Sequence, residues 1–147
     1  MVKFKVKKIS ADAVLPRYEH EGDAGMDLFS CEEYTLRPGE RCLVKTGIRV
    51  EFPVGYELQI RPRSGLALKR GISIVNSPGT IDAGYRGEIG IILINHGEDV
   101  FEIKKGDKIA QGVLSEVVRG DIEEVSELSE SERGENGFGS SKGHTSL

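Results

Sequence analysis

The sequence lacks a long hydrophobic run, and this absence limits the classes of protein to which it can belong. Its 147 residues contain no tryptophan, two cysteines and five prolines. No apolar stretch approaches the roughly 18–20 residues that a bilayer-spanning helix needs, so we expect no membrane association. The first ten residues alternate charge with hydrophobic side chains, whereas a signal peptide requires a continuous apolar segment. We therefore expect a cytoplasmic protein.

The two cysteines, Cys31 and Cys42, are too few and too isolated to predict a structural metal site. A structural zinc site takes about four clustered ligands, and neither cysteine belongs to a CxxC pair. We expect two small, buried or half-buried thiols of a reducing compartment.

Neither positive nor negative charge predominates over most of the chain. The 20 basic and 24 acidic residues give a net charge of −4, so no broad basic surface is predicted and nucleic acid is not an expected partner. The imbalance is local: residues 1–115 carry about +1, whereas residues 116–147 hold eight acidic and three basic residues, for −5. An anionic ligand would therefore have to be held by a few local donors.

The body of the chain has the pattern of short strands. Apolar residues alternate with polar ones around Val2–Val6, Cys42–Val50 and Tyr56–Ile60, and this period of two is typical of half-buried antiparallel strands. Residues 89–94 form a denser apolar run, which predicts a strand covered on both faces. Glycine and proline turns separate these runs every eight to twelve residues. The pattern predicts one all-β domain, a barrel or a sandwich.

One short helix is expected after Arg63. Ser64 is a candidate cap, residues 66–70 are good helix formers, and Gly71 suits a left-handed exit. From about Glu116 the composition becomes acidic and serine-rich, and four glycines follow between Gly134 and Gly143. We expect a folded domain over residues 1–125 and a mobile tail over 126–147. Composition alone favours a solvated tail without function.

Three glycine-containing turns carry the candidate chemistry. Arg63 and Ser64 at a helix start can hold an anion, or can be an ordinary helix entrance. Asp82 beside a tight turn can be a general base or a turn cap, and Tyr85 can be a core aromatic or a flat wall for a sugar or base. The stretch from Asn76 to Gly79 can form a hairpin that binds a planar ring. Gln111 can donate a hydrogen bond to an oxygen, or can simply lie in a hairpin.

Five motifs occur together and in order: AGMDL at 24–28, RPRSGLA at 61–67, GTIDAGYRGEI at 79–89, KGDKIAQ at 105–111 and RGENGFGSS at 133–141. In this combination the sequence resembles the trimeric dUTPase family over nearly its whole length. The resemblance implies a jelly-roll-like fold with one short helix, a homotrimer, and active sites at the subunit interfaces. It also implies Mg²⁺-dependent hydrolysis of dUTP to dUMP and pyrophosphate, which keeps uracil out of DNA and supplies dUMP for dTMP synthesis.

The resemblance assigns roles to individual residues. Asp82 matches the base that activates water for attack on the α-phosphorus, and Asp27 matches an aspartate that organises the phosphate and metal surroundings without binding metal directly. Mg²⁺ is expected to bind through the substrate phosphates. Tyr85 matches the tyrosine that packs on deoxyribose. The remaining matches are to phosphate contacts (Arg63, Ser64, Gly65, Gln111), to the uracil-binding segment (Asn76, Gly79, Thr80, Ile81, Gly90) and to a tail that closes over a neighbouring site (Arg133, Phe138, Gly139, Ser140).

The tail departs from the family pattern at two places. Asn136 stands where glycine is usual, and Ser141-Lys142 replace Thr-Gly. Asn tolerates positive φ better than most residues, so we expect the turn to be kept. Lys142 can add a charge near the terminal phosphate or point into solvent.

Two alternatives remain at this level. One is a dCTP deaminase-like enzyme, which needs a glutamate acid/base near the base-binding segment, where this chain has Ala83-Gly84-Tyr85-Arg86. The other is a catalytically silent nucleotide-binding module, which should have lost Asp82.

Overall fold

The computed structural model describes residues 1–146, in which eleven strands and one helix are found. Every strand pair in this part of the chain is antiparallel, which confirms the all-β prediction with one short helix. The elements are β1 Lys5–Lys8, β2 Met26–Phe29, β3 Tyr34–Leu36, β4 Arg41–Lys45, β5 Ile48–Glu51, β6 Tyr56–Arg61, α1 Ser64–Arg70, β7 Ile72–Ile74, β8 Gly79–Asp82, β9 Gly90–Asn95, β10 Phe101–Ile103 and β11 Lys108–Glu116.

Two sheets and two strand pairs make up the body. One sheet has the order β2-β11-β6-β8 and the other the order β4-β9-β7, while β1 pairs with β5 and β10 with β3. Leu28 and Leu58 from the first sheet and Val44 and Leu93 from the second belong to one hydrophobic core. The described residues form no closed barrel, so the sandwich alternative of the prediction is the correct one, in a jelly-roll-like arrangement.

The predicted strand over Cys42–Val50 is two strands in the structure. β4 ends at Lys45 and β5 begins at Ile48, because Gly47 lies between them with φ of 70°. A Cβ on Gly47 would lie 2.8 Å from the Cβ of Ala13, so the chain passes too close to its neighbour for any side chain there. This backbone requirement overrides the continuous alternation of the sequence.

Three smaller predictions also need adjustment. β1 begins only at Lys5, so Val2 lies outside the strand. In β9 one face is buried and the other only half-buried, so this strand is not covered fully on both faces. Ser64 is the first residue of α1 and not its cap: the cap position is Arg63, whose backbone is extended, and no side chain bonds the helix start.

Other local predictions are confirmed. Gly71 ends α1 in the left-handed region, with φ of 67°, and its N–H donates to the carbonyl of Ala67 at 3.0 Å. Both Cys31 and Cys42 are buried and unpaired.

The chain after β11 forms no strand or helix up to residue 146. Its residues are exposed, except that Gly137 is half-buried. The division into a domain of residues 1–125 and a mobile tail stays a prediction. Within residues 1–146, no helix is both long and apolar enough to cross a bilayer.

Candidate active site

A polar cleft of about 670 Å³ lies where β2, the start of α1 and the beginning of β11 meet. The antiparallel register explains why these elements meet: Gln111 on β11 stands opposite Asp27 on β2 and also opposite Arg61 on β6. Arg61 leads through Pro62 and Arg63 into α1. Five predicted residues from three separate motifs are therefore brought to one cleft, namely Asp27, Arg63, Ser64, Gly65 and Gln111.

A cluster of opposite charges forms the floor of the cleft. The Nε of Arg63 lies 3.5 Å from Oδ1 of Asp27, and the Nζ of Lys108 lies 2.8 Å from Oδ2 of the same carboxylate. The Asp27 side chain is only 14% exposed, so its charge is largely withdrawn from water and is balanced by these two cations. Hydrogen bonds to Asp27 and then to Glu19 raise the pKa of Lys108, which keeps the ammonium charged.

Gln111 is held in place by the backbone around it. Its Nε2 donates to the carbonyl of Pro62 at 2.9 Å. A Cβ on Gly25 would lie 2.2 Å from Oε1 of Gln111, so the AGMDL motif needs glycine there to leave room for this side chain. The glycine of one motif thus makes room for the glutamine of another.

Asp82 and Tyr85 lie together at a different place. Asp82 ends β8 with an exposed side chain, and its carbonyl accepts a hydrogen bond from the N–H of Tyr85 at 3.0 Å. The Tyr85 hydroxyl donates to the carbonyl of Glu88 at 3.0 Å, and a Cβ on Gly87 would lie 2.3 Å from the Tyr85 oxygen. The ring is therefore held over Gly87 and is 45% exposed. This ring is not a core aromatic, and it lies exposed at the turn that follows Asp82.

The chain around Asn76 is a corner between the two sheets. β7 pairs with β9 and β8 pairs with β6, so no two-stranded hairpin forms at residues 76–79 and that prediction is wrong. Asn76 is exposed at the corner, and Gly79 is buried against Ile60. Along β8, Thr80 is exposed and Ile81 half-buried.

Gly90 is separated from the rest of the proposed uracil-binding segment. It begins β9 and stands opposite Lys45 in the three-stranded sheet, with Leu43 packed over it. Its assignment to the binding segment therefore has no geometric support within the single chain.

The single chain does not bring Asp82 to the cleft. Asp82 stands opposite Glu57 on β6, four residues from Arg61, which is level with Gln111 and Asp27. Three strand spacings across the sheet and four residues along it place the Cα atoms of Asp82 and Asp27 about 20 Å apart. The structure thus has two separate groups of predicted site residues.

The predicted tail residues form a third group, with local contacts. Arg133 donates from Nε to the carbonyl of Asn136 at 2.9 Å, and the N–H of Ser140 donates to the carbonyl of Gly137 at 3.1 Å. Phe138 is fully exposed, with φ of 49°. These turns each close within a few residues of the chain.

Positive φ values in the tail occur at one of the two departures from the family pattern and not at the other. They are found at Gly134, Phe138, Gly139, Lys142 and Gly143, but not at Asn136. Asn136 thus does not use left-handed backbone, and the expectation that the family's turn is kept there stays a prediction.

The sequence interpretation missed several residues that line the cleft. They are Glu19, His20, Asp23, Lys69, Arg70 and Lys108. Lys108 lies within the KGDKIAQ motif, so its position was a usable signal. The loop around His20 carries no pattern that marks it as part of a site.

Comparison with known proteins gives one consistent family. A family model described as dUTPase matches residues 11–142. The deoxyuridine 5′-triphosphate nucleotidohydrolase of Clostridium tetani is 61% identical over 136 residues, covering 92% of this chain and 94% of the relative. That of Clostridioides difficile is 56% identical and covers 95% and 98%.

Solved structures agree with this result. A mutant dUTPase of Staphylococcus bacteriophage 80alpha, solved with dUpNHpp, superposes with a TM-score of 0.88 at 34% identity and covers 95% of this chain and 98% of its own. A mutant dUTPase of phage phi11, described for its coordination of a structural Mg(II) ion, has a TM-score of 0.81 at 29% identity, covering 87% and 99%. The antiparallel sandwich described above is thus a fold shared with nucleotidohydrolases. The chain belongs to the dUTPase family.

Proposed function

We propose that this chain hydrolyses dUTP to dUMP and pyrophosphate, with Asp82 as the general base. The observation that carries the proposal is the exposed carboxylate of Asp82 at the end of β8, beside the fixed ring of Tyr85, in a chain of this family. A carboxylate in this position can take a proton from water as the water attacks the α-phosphorus. The dUMP formed in this way would supply dTMP synthesis, and removal of dUTP would keep uracil out of DNA.

The cleft supplies the positioning that phosphoryl transfer depends on. Arg63 can hold a phosphate oxygen with its guanidinium, Ser64 can donate its hydroxyl, and Gln111 can reach the α-phosphate. A Cβ on Gly65 would meet no atom within 4 Å, so the backbone there is open to a phosphate. Asp27 keeps Arg63 oriented and does not itself need to touch the substrate.

Selectivity for a uracil deoxynucleotide would come from the second group of residues, around Asp82 and Tyr85. Tyr85 packed flat on the deoxyribose would leave no room for a 2′-hydroxyl. The backbone of Gly79, Thr80 and Ile81, with the Asn76 amide and less directly Gly90, would read the base edge. Cytosine would leave backbone donors unpaired, and the thymine methyl would clash.

Because the two groups lie about 20 Å apart in one chain, we propose that each active site combines the cleft of one subunit with Asp82 and Tyr85 of another. A homotrimer with three such interfaces meets this requirement. The tail then completes the site: Arg133 contacts the terminal phosphate, Phe138 covers uracil, and Gly139 with Ser140 contacts phosphates. About 20 residues separate β11 from Phe138, which allows a reach of up to about 65 Å.

Mg²⁺ fits this site as a companion of the substrate. Residues 1–146 contain no cluster of three or more His, Cys, Asp or Glu side chains able to hold a metal. Asp27 is engaged by two cations and is a poor direct ligand. Mg²⁺ bound by the triphosphate oxygens and by water needs no protein cage and would neutralise charge on the leaving pyrophosphate.

Substitution of the proposed base tests the function. We expect wild type to release pyrophosphate from dUTP and Asp82→Asn to lower kcat about 10³-fold, with binding of dUpNHpp largely kept. Glu57→Gln is the matched control, because it removes the carboxylate that is paired with Asp82 on the neighbouring strand β6. The kcat of this variant should stay within about threefold of wild type. Equal turnover by wild type and Asp82→Asn would exclude Asp82 as the base.

The structure also bears on the deaminase alternative. Glu88 is the nearest glutamate after Tyr85 in the chain, and its Oε1 accepts a hydrogen bond from the N–H of Gly47 at 3.0 Å. A carboxylate engaged with the backbone of a neighbouring segment is not available as an acid/base for a bound cytosine. We expect no ammonia release from dCTP, and robust release would overturn the proposal.

A further inference from the structure

Lys108 is the centre of the charge cluster in the cleft, and the sequence interpretation gave it no role. Its ammonium contacts Asp27 at 2.8 Å and Glu19 at 2.7 Å. Its own carbonyl accepts a hydrogen bond from Nη1 of Arg63 at 3.3 Å. Lys108, Asp27 and Arg63 therefore form a closed ring of contacts.

A β-bulge directs Lys108 towards this ring. The register of β11 against β2 shifts between Lys108 and Ala110, so that Ile109 and Ala110 are buried in succession. The extra residue turns Lys108 to the same side as Gln111 and Asp27, where regular alternation would place Ile109. The bulge is thus what puts a cation, and not an apolar side chain, beside Asp27.

The contacts of Arg63 indicate what the Lys108 ammonium does in the cleft. Arg63 uses Nε towards Asp27 and Nη1 towards the Lys108 carbonyl. Among the described residues 1–146, its Nη2 has no hydrogen-bond partner, and the side chain lines the cleft. That nitrogen is the one available to a phosphate.

A carboxylate next to an arginine frequently takes two parallel hydrogen bonds from it. Here Oδ2 of Asp27 is already occupied by the ammonium of Lys108, so Asp27 is left with Oδ1 for Arg63. Without Lys108, the largely buried Asp27 would have Arg63 as its remaining cation. Arg63 would then turn both Nε and Nη2 towards Asp27, and its guanidinium would withdraw from the cleft.

We infer that Lys108 is a positioning residue, which occupies one oxygen of Asp27 and so keeps a terminal nitrogen of Arg63 directed at the substrate phosphates. The inference rests on the proposed hydrolysis of dUTP. It concerns binding of the phosphates, and it assigns no direct contact between Lys108 and substrate.

Lys108→Met removes the charge at nearly constant length and tests the inference. We expect KM for dUTP and the dissociation constant of dUpNHpp to rise about tenfold, while kcat stays within about threefold. Inhibition by deoxyuridine, which has no phosphate, should be unchanged. Lys108→Arg should restore KM to within about threefold of wild type, because the guanidinium can still occupy Asp27.

Two further variants separate positioning from other roles. Lys105→Met removes an exposed lysine three residues earlier, paired with Asp12 at 2.9 Å, and should leave KM unchanged. In an Asp27→Asn background, Lys108→Met should raise KM by less than about threefold, because no carboxylate remains to capture Arg63.

The outcomes distinguish the possible failures. An unchanged KM in Lys108→Met would overturn the inference, and a full tenfold effect in the Asp27→Asn background would show that Lys108 binds phosphate directly. If wild type itself released no pyrophosphate from dUTP, the proposed function would fail first.

Discussion

At the scale of single residues, the sequence names candidate groups because each candidate depends on residue type at a turn. Asp82, Arg63 and Gln111 were each predicted with an equally reasonable structural role, and their combination in five ordered motifs favoured the functional one. Lys108 was missed because its place beside Asp27 depends on a bulge that no local sequence pattern predicts. A lysine at a strand entrance has the same appearance in a sequence whether it faces solvent or a buried carboxylate.

A buried thiol supplies a prediction at this scale. Burial, with Glu32 and Glu40 adding to it, raises the pKa of Cys42 to about 11. The unfolded thiol ionises near about 8.5, so between roughly pH 8.5 and 11 the unfolded state loses a proton that the folded state keeps. The free energy of unfolding should therefore fall as pH rises through this range.

The measurement is the urea midpoint between pH 8 and pH 11 for wild type and Cys42→Val. The other groups that titrate in this range are common to both proteins, so the difference isolates Cys42. We expect the wild-type midpoint to fall more steeply. Parallel curves would show that the thiol ionises equally in both states.

At the scale of elements, the alternation of apolar and polar residues predicted where strands occur better than it predicted where they begin and end. The run over Cys42–Val50 was broken by Gly47, whose close approach to Ala13 comes from a distant segment. The segment around Asn76 looked like a hairpin because it has turn residues between two apolar runs. Its strands instead joined different sheets, and turn chemistry alone does not tell the two arrangements apart.

The tail gives a prediction at the scale of elements. Truncation after Glu132 removes Arg133 and Phe138 but no residue of the strands, so the folded body and its thermal midpoint should be kept. Turnover of dUTP should fall by at least about tenfold, because the contacts that close the site are lost.

Truncation after Gly143 is the matched control, since it shortens the chain but keeps the RGENGFGSS motif. Its turnover should equal that of the full chain. Unchanged kinetics after the longer truncation would return the tail to the role of a solvated segment.

At the scale of the whole molecule, the decisive feature is the separation of Asp82 from the cleft. A site shared between subunits predicts complementation between two inactive variants. Asp82→Asn lacks the base but has an intact cleft, whereas Arg63→Ala has the base but a damaged cleft. Refolded together in equal amounts, they should recover about a quarter of wild-type activity, since one site in four would combine both intact halves.

Refolding each variant alone is the control and should give no recovery. Sedimentation should show the mixed and wild-type proteins at three times the chain mass. Absence of recovery in a confirmed mixed trimer would mean that one chain supplies both groups. The cytoplasmic location and the lack of a nucleic-acid partner stay predictions at this scale.

The sequence by itself determined the strand-rich architecture, the short helix with its glycine exit and the family, and it named the candidate reactive groups. Each of these depends on local periodicity, on turn residues or on motifs that survive without knowledge of the fold. Only the tertiary structure decided which groups meet. The register of β11 joined Asp27, Lys108 and Gln111, and the sheet order placed Asp82 three strands away. Strand pairing brings together residues distant in the chain, and its register is set by the packing of the whole core, so no local pattern contains that information.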